Sequence, residues 1–374
     1  MATDVLTDRA LNRALLARQL LLDRVDRPVA DAVADVVGVQ AQEPQNPYVG
    51  LWSRLTAFDP AVLSQALVDR QVVRIVVMRG TIHLVTADDA LVLRPLAQPV
   101  LDGEMARHRD HAPKLAGLDL APVMAFAEPF LAEQPRTGPQ LRAALADEFP
   151  DLDAPALGLA CRNLLALVQV PPRGLFRRGG PVTLTTAQAW LGRPLDPAPD
   201  LDAVVLRYLR AFGPATPADV STWSRLTGMR EVIDRLAPHV RTQTDEHGRT
   251  LYDVPDGLLP DPDTPASPRF LPEYDNVLLS HGDRRRVVTD EIKAVITPDD
   301  RPPKGWLLVD GFLRGTWSHT EPDDHGRSTL TVPVSGRITK KAAAAIEAEG
   351  RRLLKVLTPE ATERDVRVLP GSDA

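Results

Sequence analysis

The sequence predicts an α+β protein made of three tandem winged-helix units, followed by a β-rich C-terminal segment. Two observations carry this prediction. A pattern of helices followed by two short strands recurs three times, and from about Pro268 apolar and polar residues alternate as in antiparallel strands. A chain of 374 residues is long enough for several such units and for a sizeable core.

The first unit is expected over residues 1–100. Two amphipathic segments, "LNRALLARQLLLDR" and "PVADAVADVVG", predict its first helices, and "PYVGLWSRL" and "PAVLSQALVDR" predict two more. The apolar runs "VVRIVVM" and "TIHLVT" predict paired strands around Arg79-Gly80.

The second unit is expected over residues 115–195. The segment "RTGPQLRAALADEF" predicts a helix that Thr137 caps, because threonine oxygen accepts hydrogen bonds from the first free amides of a helix. The segment "ALGLACRNLLALVQV" predicts the third helix, and "VPPRGLFRRGGPVTLTT" predicts the hairpin.

The third unit, residues 200–257, has the clearest pattern. "LDAVVLRYLRAFG" is amphipathic and ends at Gly213, whereas Thr216 and Pro217 begin the next helix as N-cap and first helical residue. "MREVIDRLAPHV" predicts a third helix, and "VRTQTDEHGRTLYDV" predicts two strands around a polar turn. Three helices and a hairpin form a winged helix, a helix-turn-helix with an attached β-ribbon.

The C-terminal region, residues 268–374, is expected to be β-rich. "GWLLVDGFLRGTWSHT" and "STLTVPVSG" predict antiparallel strands, and the helix "KKAAAAIEAEGRRLLKVL" is expected to close the chain.

Composition excludes several classes of protein. No apolar run is long enough to span a bilayer, and the charged start lacks the apolar core of a secretory signal. The single cysteine, Cys161, excludes an internal disulfide framework and a cysteine-based zinc site, and the sequence thus predicts a cytoplasmic protein. The net charge of −6 argues against a general nucleic-acid binder, but clustered arginines and acidic loops allow one basic face.

The stretch "VVGVQAQEPQNPYVGLW" places Gln40 and Gln42 between two predicted helices. Gly38 and Pro44 bracket the pair and favour a non-helical path, in which residues two apart point to the same side. Both amides could then face one groove. The alternative is that the glutamines satisfy backbone groups in a tight turn.

The tandem units, "GVQAQ", "MRGTIHLV", "LPEYDNVLLSHGDRRR" and "VDGFLRGTW" together resemble the AlkZ-like winged-helix DNA glycosylases over nearly the whole chain. The resemblance implies a C-shaped protein that binds duplex DNA in its concavity and excises alkylated purines, bulky adducts or the bases of interstrand crosslinks. It also implies that Gln40 and Gln42 are the catalytic pair, with the small Ala41 between them.

The chemistry suits two amides. A purine alkylated at N7 or N3 is cationic and leaves without a strong acid, while the sugar becomes an oxocarbenium ion that needs an electron-rich neighbour and a positioned water. An amide oxygen can supply both, more weakly than a carboxylate, which would spare undamaged bases. No cofactor or metal is expected: the His-x-x-His spacing of His108 and His111 offers no third ligand.

Other residues are candidates for the pocket and for phosphate contacts, each against a structural alternative. The pocket or its support is expected to involve Tyr48, Arg79, His83, Glu273, Tyr274 and Asp275. Phosphate contacts are expected from Arg173, Arg177 and Arg178 in the second wing and from Arg284, Arg285 and Arg286. The structural alternatives are that Tyr48 is a core aromatic residue and that His83 is a hydrogen-bonded structural histidine. The acidic residues would then form structural ion pairs, and the arginines would be a solvated surface.

Two other functions remain open from the sequence. One is a non-catalytic DNA-binding protein or regulator that uses its tandem units as a clamp, and the other is a scaffold for protein contacts. The glutamine pair favours a monofunctional glycosylase acting on double-stranded DNA, and no feature indicates an oligomer, so a monomer without membrane contact is expected.

Overall fold

The structure, a computed structural model, describes residues 5–295 and 305–370. Helices and strands are mixed along the chain, so the predicted α+β class is confirmed. None of the helices in these two ranges combines the length and the apolar character that a bilayer crossing requires.

A six-stranded antiparallel sheet forms the centre of the N-terminal half. Its strands, in chain order, are Val39–Gln40 (β1), Val72–Val76 (β2), Ile82–Thr86 (β3), Arg136–Thr137 (β4), Leu167–Gln169 (β5) and Thr183–Thr186 (β6). Their spatial order is β1-β3-β2-β5-β6-β4. Since Arg74 lies opposite Gln169 and Ile75 opposite Val168, the hairpins predicted for the first two units are joined edge to edge in one sheet.

Eleven α-helices belong to the described part of the first half, and several of them pack on this sheet. They are Asp8–Arg18 (α1), Val29–Asp35 (α2), Asn46–Arg54 (α3), Pro60–Val68 (α4), Ala87–Leu96 (α5), Gln98–Arg107 (α6), Ala112–Leu115 (α7), Ala121–Glu133 (α8), Gly138–Glu148 (α9), Ala154–Leu164 (α10) and Ala187–Leu191 (α11). Thr137 caps α9 as predicted, in a capping box with Gln140. The third helix of the second unit ends earlier than expected, at Leu164, because the apolar tail that follows it pairs as β5.

The third predicted unit has the expected elements: Leu201–Phe212 (α12), Pro217–Ser224 (α13), Met229–Arg235 (α14), Arg241–Thr244 (β7) and Thr250–Asp253 (β8). Its core side chains, Tyr208, Phe212 and Trp223, are buried against the C-terminal region and the first unit. This large shared core ties the predicted units together. The division into winged-helix units stays a prediction.

The C-terminal region is a five-stranded sheet packed on a long helix. Its elements are Arg269–Pro272 (β9), Asp290–Val295 (α15), Gly305–Val309 (β10), Phe312–His319 (β11), Arg327–Val334 (β12), Lys340–Leu357 (α16) and Glu363–Pro370 (β13). The prediction that a helix closes the chain was wrong, because β13 follows α16 and pairs in parallel with β12. This strand has a mostly exposed pattern with a single buried residue, Val366, so its apolar signal is weak.

Candidate active site

The centre of the candidate site is a hydrogen-bonded group that we call the Arg79 cluster: Gln40, Arg79, His83 and Asn276. The Nη2 of Arg79 donates to Gln40 Oε1 at 2.7 Å and to Asn276 Oδ1 at 2.9 Å, and lies 3.2 Å from His83 Nε2. Its Nη1 donates to the carbonyl of Trp223, at the end of α13. One guanidinium thus joins β1, β3, the third predicted unit and the turn after β9.

Arg79 occupies an unusual backbone position in the turn between β2 and β3. Its φ of 61° is left-handed, a conformation that residues other than glycine adopt rarely and at some cost. Burial, and next the positive charge of Arg225, lower the pKa of Arg79 to about 10, so it stays charged at neutral pH. All its hydrogen-bond acceptors named above are neutral, which leaves the charge of Arg79 without a carboxylate partner in the described residues.

His83 is completely buried and neutral. Its Nδ1 lies 3.0 Å from the carbonyl of Thr81 and therefore carries the proton, which leaves Nε2 as acceptor for Arg79. Burial, followed by the charge of Arg79, lowers the pKa of His83 to about 3. The ring therefore acts as a fixed acceptor that orients Arg79.

A buried ion pair holds the fourth member of the cluster. Asp275 accepts from both Nη atoms of Arg54, at 2.8 and 2.9 Å, and both side chains are almost fully buried. Asp275 also caps the turn at Val277, and the neighbouring Asn276 donates to the carbonyl of Gly38 at 3.0 Å. Asp275 was predicted in the pocket or its support; its partner is Arg54, so it anchors the turn that carries Asn276.

Gly38 allows the strand that carries Gln40 to approach β3. A Cβ at this position would lie 2.8 Å from Val85 Cγ1, and the φ of 86° is left-handed. The glutamine motif thus starts in an extended strand, as Gly38 and Pro44 predicted, with Gln40 opposite His83.

The two glutamines have different surroundings. Gln40 is buried in the Arg79 cluster, whereas Gln42 is exposed, and its Oε1 only makes a long contact of 3.4 Å with the amide of Ile82. Gln42 lines a cleft of about 460 Å³ between the strands of the first two predicted units. One amide is therefore fixed, and the other is open to an incoming molecule.

We call this cavity the arginine cleft, because five arginines line it beside Gln42: Arg74, Arg94, Arg142, Arg162 and Arg173. None of the described residues that line it is acidic. Two of the five, Arg142 and Arg162, are exposed at the rim, whereas Arg74 and Arg94 are buried. The cleft is therefore a concentrated positive region in a protein of net charge −6.

The acidic side chain of Glu273 lies near Glu43, the residue that follows the glutamine motif. Burial, and then the neighbouring carboxylate of Glu43, raise the pKa of Glu273. Burial, followed by the carboxylates of Glu273 and Glu43, also raises the pKa of Tyr274. Glu273 and Tyr274 are half-buried. Two carboxylates and a phenol thus lie together next to the glutamine motif, and this arrangement favours cationic groups.

Tyr48 was predicted in the pocket but lies in the core. It packs against Phe58 and Phe176, and its hydroxyl donates to the carbonyl of Gly174 at 2.9 Å. Burial raises its pKa to about 12. Tyr48 belongs to the same buried apolar cluster as Leu51 of α3 and Leu84 of β3, so helical spacing on α3 accounts for its core position.

Several arginines predicted to bind DNA are engaged within the protein. Arg177 forms ion pairs with Glu321 and Glu360, Arg285 with Asp283, and Arg286 is buried and donates to the carbonyl of Pro214. The expected phosphate contact was therefore wrong for Arg286, whose side chain is buried, whereas for Arg177 and Arg285 it stays a prediction. Arg284 and Arg178 are exposed, and Arg173 lies in the arginine cleft.

One group of side chains could geometrically hold a cation. The ligand atoms of Asp8, Glu246 and His247 lie within 4.8 Å of one another, and this group is the sole one of its kind among the described residues. Glu246 already accepts from the amide of Asp8, and His247 contacts Asp8 and Arg285. These contacts explain the grouping without a metal. The stacked rings of His108 and His111 are not part of it.

The model of the family described as DNA glycosylase AlkZ-like matches residues 33–356, so the chain belongs to this family and is a DNA glycosylase, a hydrolase of DNA repair. Its fold is similar to that of the Streptomyces sahachiroi DNA glycosylase AlkZ, with a TM-score of 0.76. The alignment covers 98% of this chain and 100% of that chain at 18% identity, a level at which the likeness concerns the fold. No curated protein sequence matches the chain.

Sequence reasoning missed five residues of this site: Asn276, Arg74, Arg94, Arg142 and Arg162. Asn276 directly follows the predicted "PEYD" segment and could have been included with it. The four arginines are isolated in sequence, on β2, α5, α9 and α10, and only the tertiary structure, with β2 paired to β5, brings them to one cleft.

Proposed function

We propose that the protein releases purines alkylated at N7 or N3, or carrying bulky adducts, from double-stranded DNA by attack of water at the anomeric carbon. The observation that carries this proposal is an exposed amide, Gln42, beside a positively charged cleft and next to a buried, fixed amide, Gln40. The protein would act as a monomer near the nucleoid in the cytoplasm.

The roles of the two glutamines differ in this proposal. The Oε1 of Gln42 has only a weak protein contact, so it can accept a hydrogen bond from the attacking water and face the positive charge of the sugar. The Oε1 of Gln40 is held by Arg79, so Gln40 fixes the strand and the position of its neighbour. Gln42 would therefore be the catalytic residue and Gln40 a positioning residue.

The surrounding charges suit a cationic leaving group. A positively charged purine is repelled by the arginine cleft and attracted by Glu43 and Glu273, which lie together near the motif. Since the bond to such a base is already weak, a neutral amide suffices where a normal base would need an acid. Selectivity for damaged bases would follow from this modest chemistry.

The test is single-turnover release of 7-methylguanine from duplex DNA by the wild type and by Gln42→Ala. Loss of a positioned hydrogen-bond acceptor should slow release by a factor of about 30 to 1000, or about 2–4 kcal/mol of transition-state stabilisation. Gln42→Asp should keep much of the rate, because a carboxylate can hold the same water. Gln40→Ala should also slow release, through the position of Gln42.

The control is Gln65→Ala, an exposed glutamine on α4. Gln45 is less suitable, because it bonds the backbone of Leu175 and Arg177 and so holds a loop in place. Wild-type rates in both Gln40→Ala and Gln42→Ala would mean that the motif is only turn structure. A wild type that releases no alkylated purine would refute the proposed substrate.

A further inference from the structure

The floor of the arginine cleft contains a buried cation with unused donors. Arg74 is 1% exposed, and its Nη2 donates to the carbonyl of Ala41 at 2.9 Å. Its Nε and Nη1 have no hydrogen-bond partner in the described part of the chain. A buried charged donor without a partner costs free energy, so binding of an anion next to Arg74 would be favourable.

The loop between β5 and β6 closes over Arg74. A Cβ on Gly174 would lie 2.9 Å from Cδ and 3.2 Å from Nη1 of Arg74, and the φ of 98° is left-handed, so glycine is required. Tyr48 holds this loop through the carbonyl of Gly174. The core position of Tyr48 therefore also keeps the cleft floor in place.

The rim supplies free positive charge above Arg74. Arg142 and Arg162 are exposed and have neither a hydrogen bond nor an ion pair among the residues that the structure describes. Arg173 makes one long contact with the carbonyl of Gly180, and its Nε has no partner. Elsewhere many arginines are neutralised by carboxylates, such as Arg177 by Glu360 and Arg235 by Asp202.

We propose that the arginine cleft binds the phosphodiester backbone of the DNA strand that carries the damaged nucleotide, with Arg142 and Arg162 at its rim and Arg74 at its floor. This inference rests on the proposed function. Arg74 also bonds Ala41, between the two glutamines, so the residue that meets the phosphate also holds the catalytic motif. A bound phosphate would thereby fix the sugar next to Gln42.

In this proposal the two charges of the substrate are bound by different side chains. The phosphates bind the arginines of the cleft, and the cationic base binds near Glu43 and Glu273, whose carboxylates lie close enough to interact with each other. Such a division explains why a cleft with five arginines can belong to an enzyme whose leaving group is positively charged.

The experiment measures binding to a duplex with a tetrahydrofuran abasic analogue, by fluorescence anisotropy over a series of salt concentrations. This probe cannot react, so binding is measured independently of base release. Arg142→Ala and Arg162→Ala should each flatten the slope of log affinity against log salt by about one unit, and reduce affinity roughly tenfold at about 0.1 M salt. Both residues are exposed, so folding should be unaffected.

The matched control is Arg337→Ala, an exposed arginine between β12 and α16 that has no ion pair in the described ranges. It should leave the slope unchanged. Wild-type slopes in both rim variants would overturn the proposal, and so would an equal loss in Arg337→Ala, which would indicate diffuse attraction. If the rim variants lose affinity but the wild type releases no alkylated purine, the cleft assignment holds and the proposed substrate fails.

Discussion

Replacing Asp275 by asparagine tests how far the candidate site depends on one buried ion pair. The change keeps the shape of the side chain but removes its charge, so Arg54 is left as an uncompensated cation. The side chains of Arg54 and Asp275 are only 2% and 1% exposed, and they share two short hydrogen bonds. Screening by solvent is therefore minimal.

The expected loss is about 3–5 kcal/mol in the free energy of unfolding, the range for a buried pair that loses one partner. This is a large share of the roughly 5–15 kcal/mol that stabilises a typical domain. The assay is urea unfolding followed by circular dichroism. The matched control is Asp365→Asn, which breaks an exposed pair with Arg367 at 2.8 Å and should cost about 0–1 kcal/mol.

The same variant should also slow base release under conditions in which it is folded. Asp275 caps the turn at Val277, and the adjacent Asn276 holds both Arg79 and the carbonyl of Gly38. The double variant Arg54→Met, Asp275→Leu should be more stable than Asp275→Leu alone, because no charge is left unpaired. A loss below about 1 kcal/mol for Asp275→Asn, equal to that of the control, would refute this reasoning.

Two further predictions concern protons and covalent chemistry. His83 is neutral in the folded protein because its pKa is lowered to about 3, whereas in the unfolded chain its imidazole binds a proton below about pH 6.5. The contribution of His83 to the free energy of unfolding is therefore complete above that pH and is lost as the pH falls. Comparison of the wild type with His83→Gln by thermal unfolding between about pH 6 and pH 5 should show a slope smaller by up to about 1.4 kcal/mol per pH unit in the variant, and equal slopes would contradict the assignment. Borohydride should trap no covalent adduct with DNA, because a Schiff base needs a lysine of lowered pKa and the six lysines lie far from the glutamines in sequence; a trapped adduct would overturn the monofunctional mechanism.

The elements that were predicted correctly have strong local signals. In the third unit, α12 shows apolar residues at helical spacing and ends at Gly213, and Thr216 caps the next helix, α13. The strands β2 and β3 are apolar runs around a tight turn. The strand β13 was missed, because its side chains are mostly exposed and only its pairing with β12 defines it. Local patterns of apolar residues indicate burial, and few side chains of this edge strand are buried.

The residues of the candidate site also divide into those with a local sequence signal and those whose role depends on tertiary contacts. Gln40 and Gln42 were found from an unusual run of amides, and Arg79 and His83 from their place on the first hairpin. The role of Asp275 could not be read from sequence, because its partner Arg54 is 221 positions away. The run at 284–286 suggested a basic face, but folding directs Arg286 into the core.

The sequence by itself determined the α+β class, the recurring helix–hairpin pattern and the glutamine motif, because these depend on spacing, caps and turns within a few residues. Only the tertiary structure decided which arginines are free. Carboxylates distant in sequence, Glu321 and Glu360, neutralise Arg177, whereas the pairing of β2 with β5 collects five arginines without an acid in the lining beside Gln42. Electrostatic interactions depend on distances in space, and these distances are set only when the chain has folded.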